Sequence, residues 1–455
     1  MCDIFFACGT LCFTRKGGFM RKFVLIGTGS RSGMYLEALA GDFRDVGTIA
    51  ALCDTNHSRM NYWVELLSSK YSLPKLPTYH ASEFDCMIEE IKPDVVIVTS
   101  IDRTHNKYIC RALELGCDVI TEKPMTTDAV KCQQIIDTVK RTGKHLTVAF
   151  NYRYSPRNTK IKELLKNGIV GNVTSVHFEW LLNTSHGADY FRRWHRDKNN
   201  SGGLLVHKST HHFDLMNWWL DSEPETVFAM GSLRFYGREN AENRGVTEFY
   251  DRARYSEIAA KDPFALHVTA EDERLQKLYY DAEHEDGYYR DRSVFNDGIN
   301  IEDNMVLSVK YRNGAIMSYN LNAHSPWEGY RVCFNGDKGR LEFNIVERPY
   351  ISGDHADFNQ PGMHELEGDR KTLIPEIIFQ PHWGKPVVIE YESARGGHGG
   401  GDTRLLNDLF RGVTEDPLNH AADFRDGAKS ILTGIAANIS IKTGQAVDTK
   451  GLVKF

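Results

Sequence analysis

At 455 residues with a formal net charge of −6, the chain is longer than one hydrophobic core usually serves, and two domains are the natural expectation. Charges of both signs are spread along it without a lysine or arginine run, which excludes a nucleic-acid track. No apolar stretch approaches the roughly 20 residues that cross a bilayer, so no membrane partner is expected.

Residues 1–20 read as an extension ahead of the fold. Ile4–Phe13 is apolar but follows Asp3 rather than a basic cluster and lacks a small-residue cleavage site, which argues against a signal peptide. Met20 is the expected start. Nine cysteines is an odd count, and Cys53, Cys86, Cys110, Cys117 and Cys132 fall inside the first domain, so reduced thiols of a cytoplasmic protein are expected. Cys2, Cys8 and Cys12 cluster before the fold at no zinc spacing.

Residues 21–150 alternate short apolar strands with helix-compatible segments. The strands are Lys22–Ile26, Thr48–Cys53, Val95–Thr99, Asp118–Thr121 and His145–Phe150. Helices are expected to begin near Ser32, Ser58, Ser82, Thr104 and Thr126, where hydroxyls suit an N-cap. This alternation predicts an α/β Rossmann domain, a doubly wound parallel sheet with helices on both faces.

The first strand-to-helix turn is the most informative stretch. It reads Phe23-Val24-Leu25-Ile26-Gly27-Thr28-Gly29-Ser30-Arg31-Ser32-Gly33, and Asp54 closes the second strand. Gly27 permits the tight turn, and Gly29 lets the backbone, with Ser30 and Arg31, approach a pyrophosphate at the helix N-terminus. The Asp54 carboxylate accepts hydrogen bonds from ribose hydroxyls and repels a 2′-phosphate, which favours NAD over NADP. Ser32 stands where the third glycine of the fingerprint is expected, with Gly33 one step later.

From Asn151 the pattern changes to longer strands: Val173–Leu182, Glu225–Leu233, Met305–Tyr311, Ala315–Leu321, Tyr330–Asn335 and Gly339–Phe343. Residues 151–455 therefore read as an α+β substrate domain on a mainly antiparallel open sheet. A tyrosine-rich insertion, 236–300, is too long for a simple connection and reads either as a lid or as a surface excursion. Residues 352–375 are irregular, and helical segments near Thr403–Phe410 and Ala421–Thr443 close the chain.

Four groups of residues carry chemistry. Glu122-Lys123-Pro124 ends the fourth major strand, at the carboxyl edge where ligands of open α/β sheets bind. His207, His211 and Asp214 stand at i, i+4 and i+7, one face of a continuous helix; three ligands there make zinc conceivable, but no metal is expected. Tyr190-Phe191-Arg192-Arg193-Trp194-His195 offers an aromatic face, Trp194 in particular, and a cationic fork for a sugar ring. Gly396-Gly397-His398-Gly399-Gly400-Gly401-Asp402 would let backbone approach a ligand and point His398 into it.

Gly27-x-Gly29, the Thr99–His105 loop, Glu122-Lys123-Pro124 and Asn151-Tyr152-Arg153-Tyr154 together resemble the Gfo/Idh/MocA family of NAD(P)-dependent sugar and polyol oxidoreductases, over nearly the whole chain from Met20. The resemblance implies that Lys123 reaches both the nicotinamide edge and a substrate hydroxyl, that Thr99, His105 and Glu122 border the cofactor, and that Arg153, Tyr154 and Asp214 border the substrate. On that alignment His211 lies near the reacting hydroxyl. His207 departs from the pattern, because the family usually has an aspartate there that orients the histidine; His207 would instead hold His211 or contact the sugar. The implied activity is NAD-dependent oxidation of a hydroxyl on a sugar, sugar derivative or cyclitol. The alternative is a redox-neutral NAD-dependent glycosidase working by transient oxidation and elimination. A homodimer or tetramer is also implied.

Overall fold

The computed structural model describes residues 20–269, 271–353, 376–391, 397–412 and 415–455. The Cys2, Cys8 and Cys12 cluster, most of the 352–375 stretch and the side chain of His398 lie outside the described residues.

The first domain is a six-stranded sheet in the order β3-β2-β1-β4-β5-β6. Its strands are β1 Arg21–Ile26, β2 Gly47–Asp54, β3 Thr78–His80, β4 Val95–Val98, β5 Asp118–Thr121 and β6 Leu146–Val148, and every pairing is parallel. Val95, Val96, Ile97 and Val98 are all buried, as they must be where helices cover both faces of a parallel sheet. Those helices are α1 Ser32–Ala40, α2 His57–Tyr71, α3 Phe84–Ile91, α4 His105–Glu114 and α5 Ala129–Thr142.

Two of the expected hydroxyl caps give way to stronger acceptors. Helix α2 is capped by Asn56, whose side chain accepts from Arg59 N, and α5 by Asp128, which accepts from Lys131 N. Both residues are extended, as a cap requires, and bring an amide or carboxylate oxygen to the first helical N–H groups. Ser32 does not cap α1, which begins at Arg31 with no side-chain cap at all.

The second domain opens with α6, Pro156–Lys166, and carries a nine-stranded sheet in the order β14-β13-β12-β11-β7-β10-β9-β8-β15. Its strands are β7 Val173–Asn183, β8 Pro224–Ser232, β9 Asn304–Tyr311, β10 Ile316–Ser325, β11 Glu328–Gly336, β12 Gly339–Arg348, β13 Ile377–Pro381, β14 Val387–Val388 and β15 Val447–Asp448. Only β7 and β10 pair in parallel; the rest are antiparallel. Strand β9 alternates: Met305, Leu307, Val309 and Tyr311 are buried while Val306, Ser308 and Lys310 face outward, the period-two pattern of a sheet with one covered face.

The division at residue 150 separates the sheets but not the hydrophobic cores. The helix Gly397–Arg411 sends Leu405, Leu406 and Phe410 into the core that holds Phe23, Tyr35 and Phe43. The helix Phe424–Thr443 sends Ala428, Ile431, Leu432 and Ile435 into the core against β4 and α5, while its Ala436 and Ala437 belong to the core under the large sheet.

The 236–300 insertion folds back onto the first domain. Glu285 accepts from His57 N at 2.6 Å and Ser58 N at 2.8 Å, placing a carboxylate on the N–H groups that open α2, where the helix dipole favours one. Asn56 donates to Ala282 O at 2.8 Å, and Arg59 donates to Leu278 O at 2.8 Å and pairs with Asp286 at 2.5 Å. Ser58, expected as a cap, is thus taken up by the insertion.

Candidate active site

A cavity of about 670 Å³ lies at the carboxyl ends of β1, β2, β4 and β5, closed by the second domain and by Tyr279, Asp286 and Tyr288 of the insertion. It is built first on the glycine turn. Gly27 has φ of +95°, and a Cβ there would fall 2.4 Å from Ser100 N, so this glycine lets the turn pack against the loop after β4. At Gly29 an added Cβ would meet nothing within 4 Å, so this side of the turn faces open space. Gly33 does the work of the missing third glycine: its Cβ would fall 2.6 Å from the Trp63 ring and 2.1 Å from Arg274 Nη2. The N-terminus of α1 has no side-chain cap, and its first N–H groups turn back onto the Gly29, Ser30 and Arg31 carbonyls.

Asp54 is 8% exposed and lines the cavity. Its Oδ2 accepts from Thr28 N at 2.5 Å and Thr28 Oγ1 at 2.8 Å, and its Oδ1 from Asn56 N at 3.1 Å. The carboxylate therefore ties down the turn as well as facing the cavity. Thr99 braces the same turn, donating to Gly27 O at 2.5 Å. His105 sets both ring nitrogens against carbonyl oxygens, Pro124 O at 2.8 Å and Ser100 O at 2.9 Å, and so links two cavity loops. Ser30 Oγ accepts from the Tyr279 hydroxyl at 3.0 Å.

Glu122 does not pair with its neighbour Lys123. Its Oε1 accepts from Arg31 Nε at 2.5 Å and from Tyr35 OH at 2.8 Å. Lys123 lines the cavity with a pKa brought down to about 8, chiefly by burial, with Lys208 and Arg31 adding to the effect and Glu122 and Asp102 opposing it.

The segment 202–214 departs from the continuous helix expected there. Leu204–His207 and Thr210–Leu220 are separate helices, because Lys208 N and Ser209 N both donate to Leu204 O and His211 N donates to Lys208 O instead of His207 O. This slip separates three side chains that an unbroken helix would align. His207 lines the cavity. His211 lies outside the lining, 2% exposed, its ring 4.8 Å from that of Tyr152 and 6.1 Å from that of Phe150. Asp214 accepts both forks of Arg153, from Nε at 2.8 Å and Nη2 at 2.6 Å, in a pair almost wholly removed from water. Tyr154 packs on His420 with ring centroids 5.2 Å apart. Arg153, Tyr154 and Asp214 are thus placed behind the cavity wall, as braces of the Asn151–Tyr154 turn. The glycine run before Asp402 packs on that turn too: a Cβ at Gly401 would fall 2.2 Å from Asn151 O.

The cavity's most unusual contact joins the two domains. Asp102, in the loop after β4, lies 2.5 Å from His207 Nδ1. Burial pushes the Asp102 carboxyl up to about 7, against the pull of His105, Lys123 and Arg193. Burial likewise pushes His207 well below the usual imidazole range, helped by Lys123 and Arg193. A low-dielectric site lowers the charge of both partners. His207 is flanked by His195, with ring centroids 4.2 Å apart, and by Trp194 at 5.8 Å.

Helix α7, Thr184–Arg192, and the turn after it bring Tyr190, Arg193, Trp194 and His195 of the aromatic and cationic run to the cavity, together with two residues that sequence reasoning did not single out, His186 and Asp189. His186 sits between Glu328 at 2.7 Å and Tyr190 OH at 3.1 Å. Asp189 accepts from Arg290 at 2.5 Å, Arg193 at 3.0 Å and Arg192 at 3.3 Å. The dense polar and aromatic spacing of 186–195 was the available signal.

Comparison with known proteins agrees with this geometry. Residues 21–150 match the family model described as "Oxidoreductase family, NAD-binding Rossmann fold", and residues 162–449 the model described as "Oxidoreductase family, C-terminal alpha/beta domain". The chain is 38% identical over 458 residues to "Putative oxidoreductase YteT" of Bacillus subtilis (strain 168), covering 96% of this chain and 99% of that one. A shorter stretch, 128 residues, is 31% identical to D-glucoside 3-dehydrogenase of Escherichia coli (strain K12), covering 28% of this chain and 33% of that protein. Among solved structures, the WlbA dehydrogenase from Bordetella pertussis in complex with NADH and UDP-GlcNAcA shares the fold, with a TM-score of 0.60, 17% identity and coverage of 94% and 99%.

Proposed function

The chain belongs to the Gfo/Idh/MocA oxidoreductase family, with both family domains in order, and from that premise we propose that it is an NAD-dependent dehydrogenase acting on a hydroxyl of a carbohydrate. Among described residues the turn at Gly27 and Gly29, Asp54 and Lys123 suit a nicotinamide dinucleotide. NAD is favoured over NADP because Asp54 would repel a 2′-phosphate, while the nearby Arg59 is already paired with Asp286. The cofactor, when bound, supplies the hydride acceptor.

The protein's part is to hold the sugar and move a proton. His207 is the base. When Asp102 is ionised it accepts Nδ1–H and leaves the Nε2 lone pair for a substrate hydroxyl, and the carboxylate then stabilises the imidazolium. Lys123, half neutral near pH 8, donates to the same oxygen or shares its proton. Asp102 thus takes up the orienting role that the family gives to the position of His207. His211 lies behind the wall, packed against Tyr152. The observation that carries this reading is the meeting of Lys123, Asp102 and His207 in the cavity that also holds the glycine turn and Asp54.

The test is incubation with NAD and a panel of methyl and nitrophenyl glycosides, following reduced cofactor and released aglycon separately. Stoichiometric NADH without aglycon is expected. Aglycon release with no net NADH would replace the dehydrogenase with the redox-neutral glycosidase, and binding of NAD without turnover of any sugar would overturn both.

A further inference from the structure

We propose that the substrate carries an anionic group, a carboxylate or a phosphate, held by Arg193. This rests on the dehydrogenase reading above and names the class of sugar. Three guanidiniums, those of Arg192, Arg193 and Arg290, converge on the single carboxylate of Asp189. Arg192, Arg290 and Asp189 are buried, at 0%, 7% and 5% exposure. One negative charge against three positive ones leaves an excess that low dielectric makes costly unless an anion joins it.

Only Arg193 of the three lines the cavity, with a quarter of its side chain exposed. It gives Nη1 to Asp189, the Tyr288 hydroxyl lies against the same guanidinium, and among described residues its buried Nε has no hydrogen-bond partner. A planar fork held at one end by a carboxylate is preorganised for a second anion. The surrounding potential is positive: burial would raise the Tyr279 phenol, yet Arg193 and Arg290, with hydrogen bonds to Ser30, hold it below its usual value. The other acids on the cavity wall are engaged, Glu122 with Arg31, Asp286 with Arg59, Asp54 with Thr28 and Asp102, which also feels the Arg193 charge, with His207.

Arg193 adjoins Trp194 and His195 of the second domain, whose rings crowd the proposed base. The glycine turn belongs to the first domain and Arg193 to the second, which puts the fork on the substrate side.

The experiment uses the full-length protein with saturating NADH and measures calorimetric binding of methyl β-D-glucuronide, glucose 6-phosphate and methyl β-D-glucoside, with turnover followed in parallel under NAD. An anionic sugar is expected to bind about tenfold to a hundredfold tighter than the neutral glucoside, the range of a charge-assisted fork contact. Which anion wins separates carboxylate from phosphate. The preference is expected to shrink as salt is raised in the wild-type protein, and Arg193→Gln is expected to reduce it to about twofold. Equal or better binding of the glucoside overturns the proposal. So does an Arg193→Gln variant whose loss falls on NADH affinity and not on the sugar, which would assign the fork to the cofactor. Anion-selective binding without NADH formation would instead fail the dehydrogenase and leave this inference standing; oxidation of the glucoside in preference would do the reverse.

Discussion

Replacing Asp102 by asparagine tests the proposed base most directly. The carboxylate stands 2.5 Å from His207 Nδ1, and the two residues are 4% and 8% exposed, so little water is available to take its place. An amide keeps the shape but carries no charge to stabilise an imidazolium, and its NH2 favours the opposite imidazole tautomer. A positioned acid–base group contributes about 10²–10⁴ in rate. Asp102→Asn should therefore lower kcat by that factor, or about 2.7–5.4 kcal/mol of barrier at 1.36 kcal/mol per decade. The pH profile supplies a second reading. Sugar oxidation needs the ionised Asp102 form, so with its carboxyl near 7 and Lys123 near 8, wild-type kcat/KM should climb with pH and level off above these values. The variant should lose the limb near 7. The assay is initial-rate NADH formation across pH, with circular dichroism and NADH affinity as controls for fold and cofactor site. A folded, NADH-binding variant that stays within about threefold of wild type, or keeps the limb near 7, would refute Asp102 as partner of the base.

Gly29→Ala should fold with near-native melting, since its Cβ meets nothing, but weaken NADH binding because the methyl occupies the cofactor's approach. Gly27→Ala should lose about 1–3 kcal/mol in denaturant unfolding, from positive φ and the 2.4 Å approach to Ser100 N; equal behaviour of the two variants would contradict the turn described. Asp286→Ala, which frees Arg59 and loosens the insertion, should raise the NADH Kd about tenfold, equivalent to about 1.4 kcal/mol, as read by calorimetry. Asp189→Asn should destabilise by about 3–5 kcal/mol, because three guanidiniums lose their counter-charge. Burial alone would raise the Asp189 carboxyl, but Arg290, Arg193 and Arg192 hold it well below the usual range. Its contribution is therefore complete above the ordinary carboxylate range and fades as pH falls, so the variant's deficit in thermal unfolding should narrow toward strongly acidic pH.

Contacts close in sequence were legible and long-range ones were not. The strands β1, β2 and β4 declare themselves by apolar runs because both faces of a parallel sheet are buried, and Gly27, Gly29, Asp54 and Lys123 lie where strand ends must deliver them. His207 was chosen for a face of a helix that breaks at Lys208 and Ser209, and no propensity in 202–214 announces that slip. Its partner Asp102 is 105 positions away and on the other domain, a pairing that only the closed fold creates. The same holds for Glu285 on the start of α2, 227 positions from Ser58, and for Arg153 with Asp214, whose charges suggested a ligand but which satisfy each other away from water.

The helix Phe424–Thr443 acts as a splint. With Ile431 and Leu432 anchored beneath one sheet and Ala436 and Ala437 beneath the other, swinging the two halves apart would pull a greasy rod out of one socket or the other. The insertion, which grips α2 through Glu285 and Asp286, stands at the edge of the same cleft. A clipped version ending before residue 424 would lose the splint and expose both sockets together, and is expected to aggregate instead of yielding two working halves.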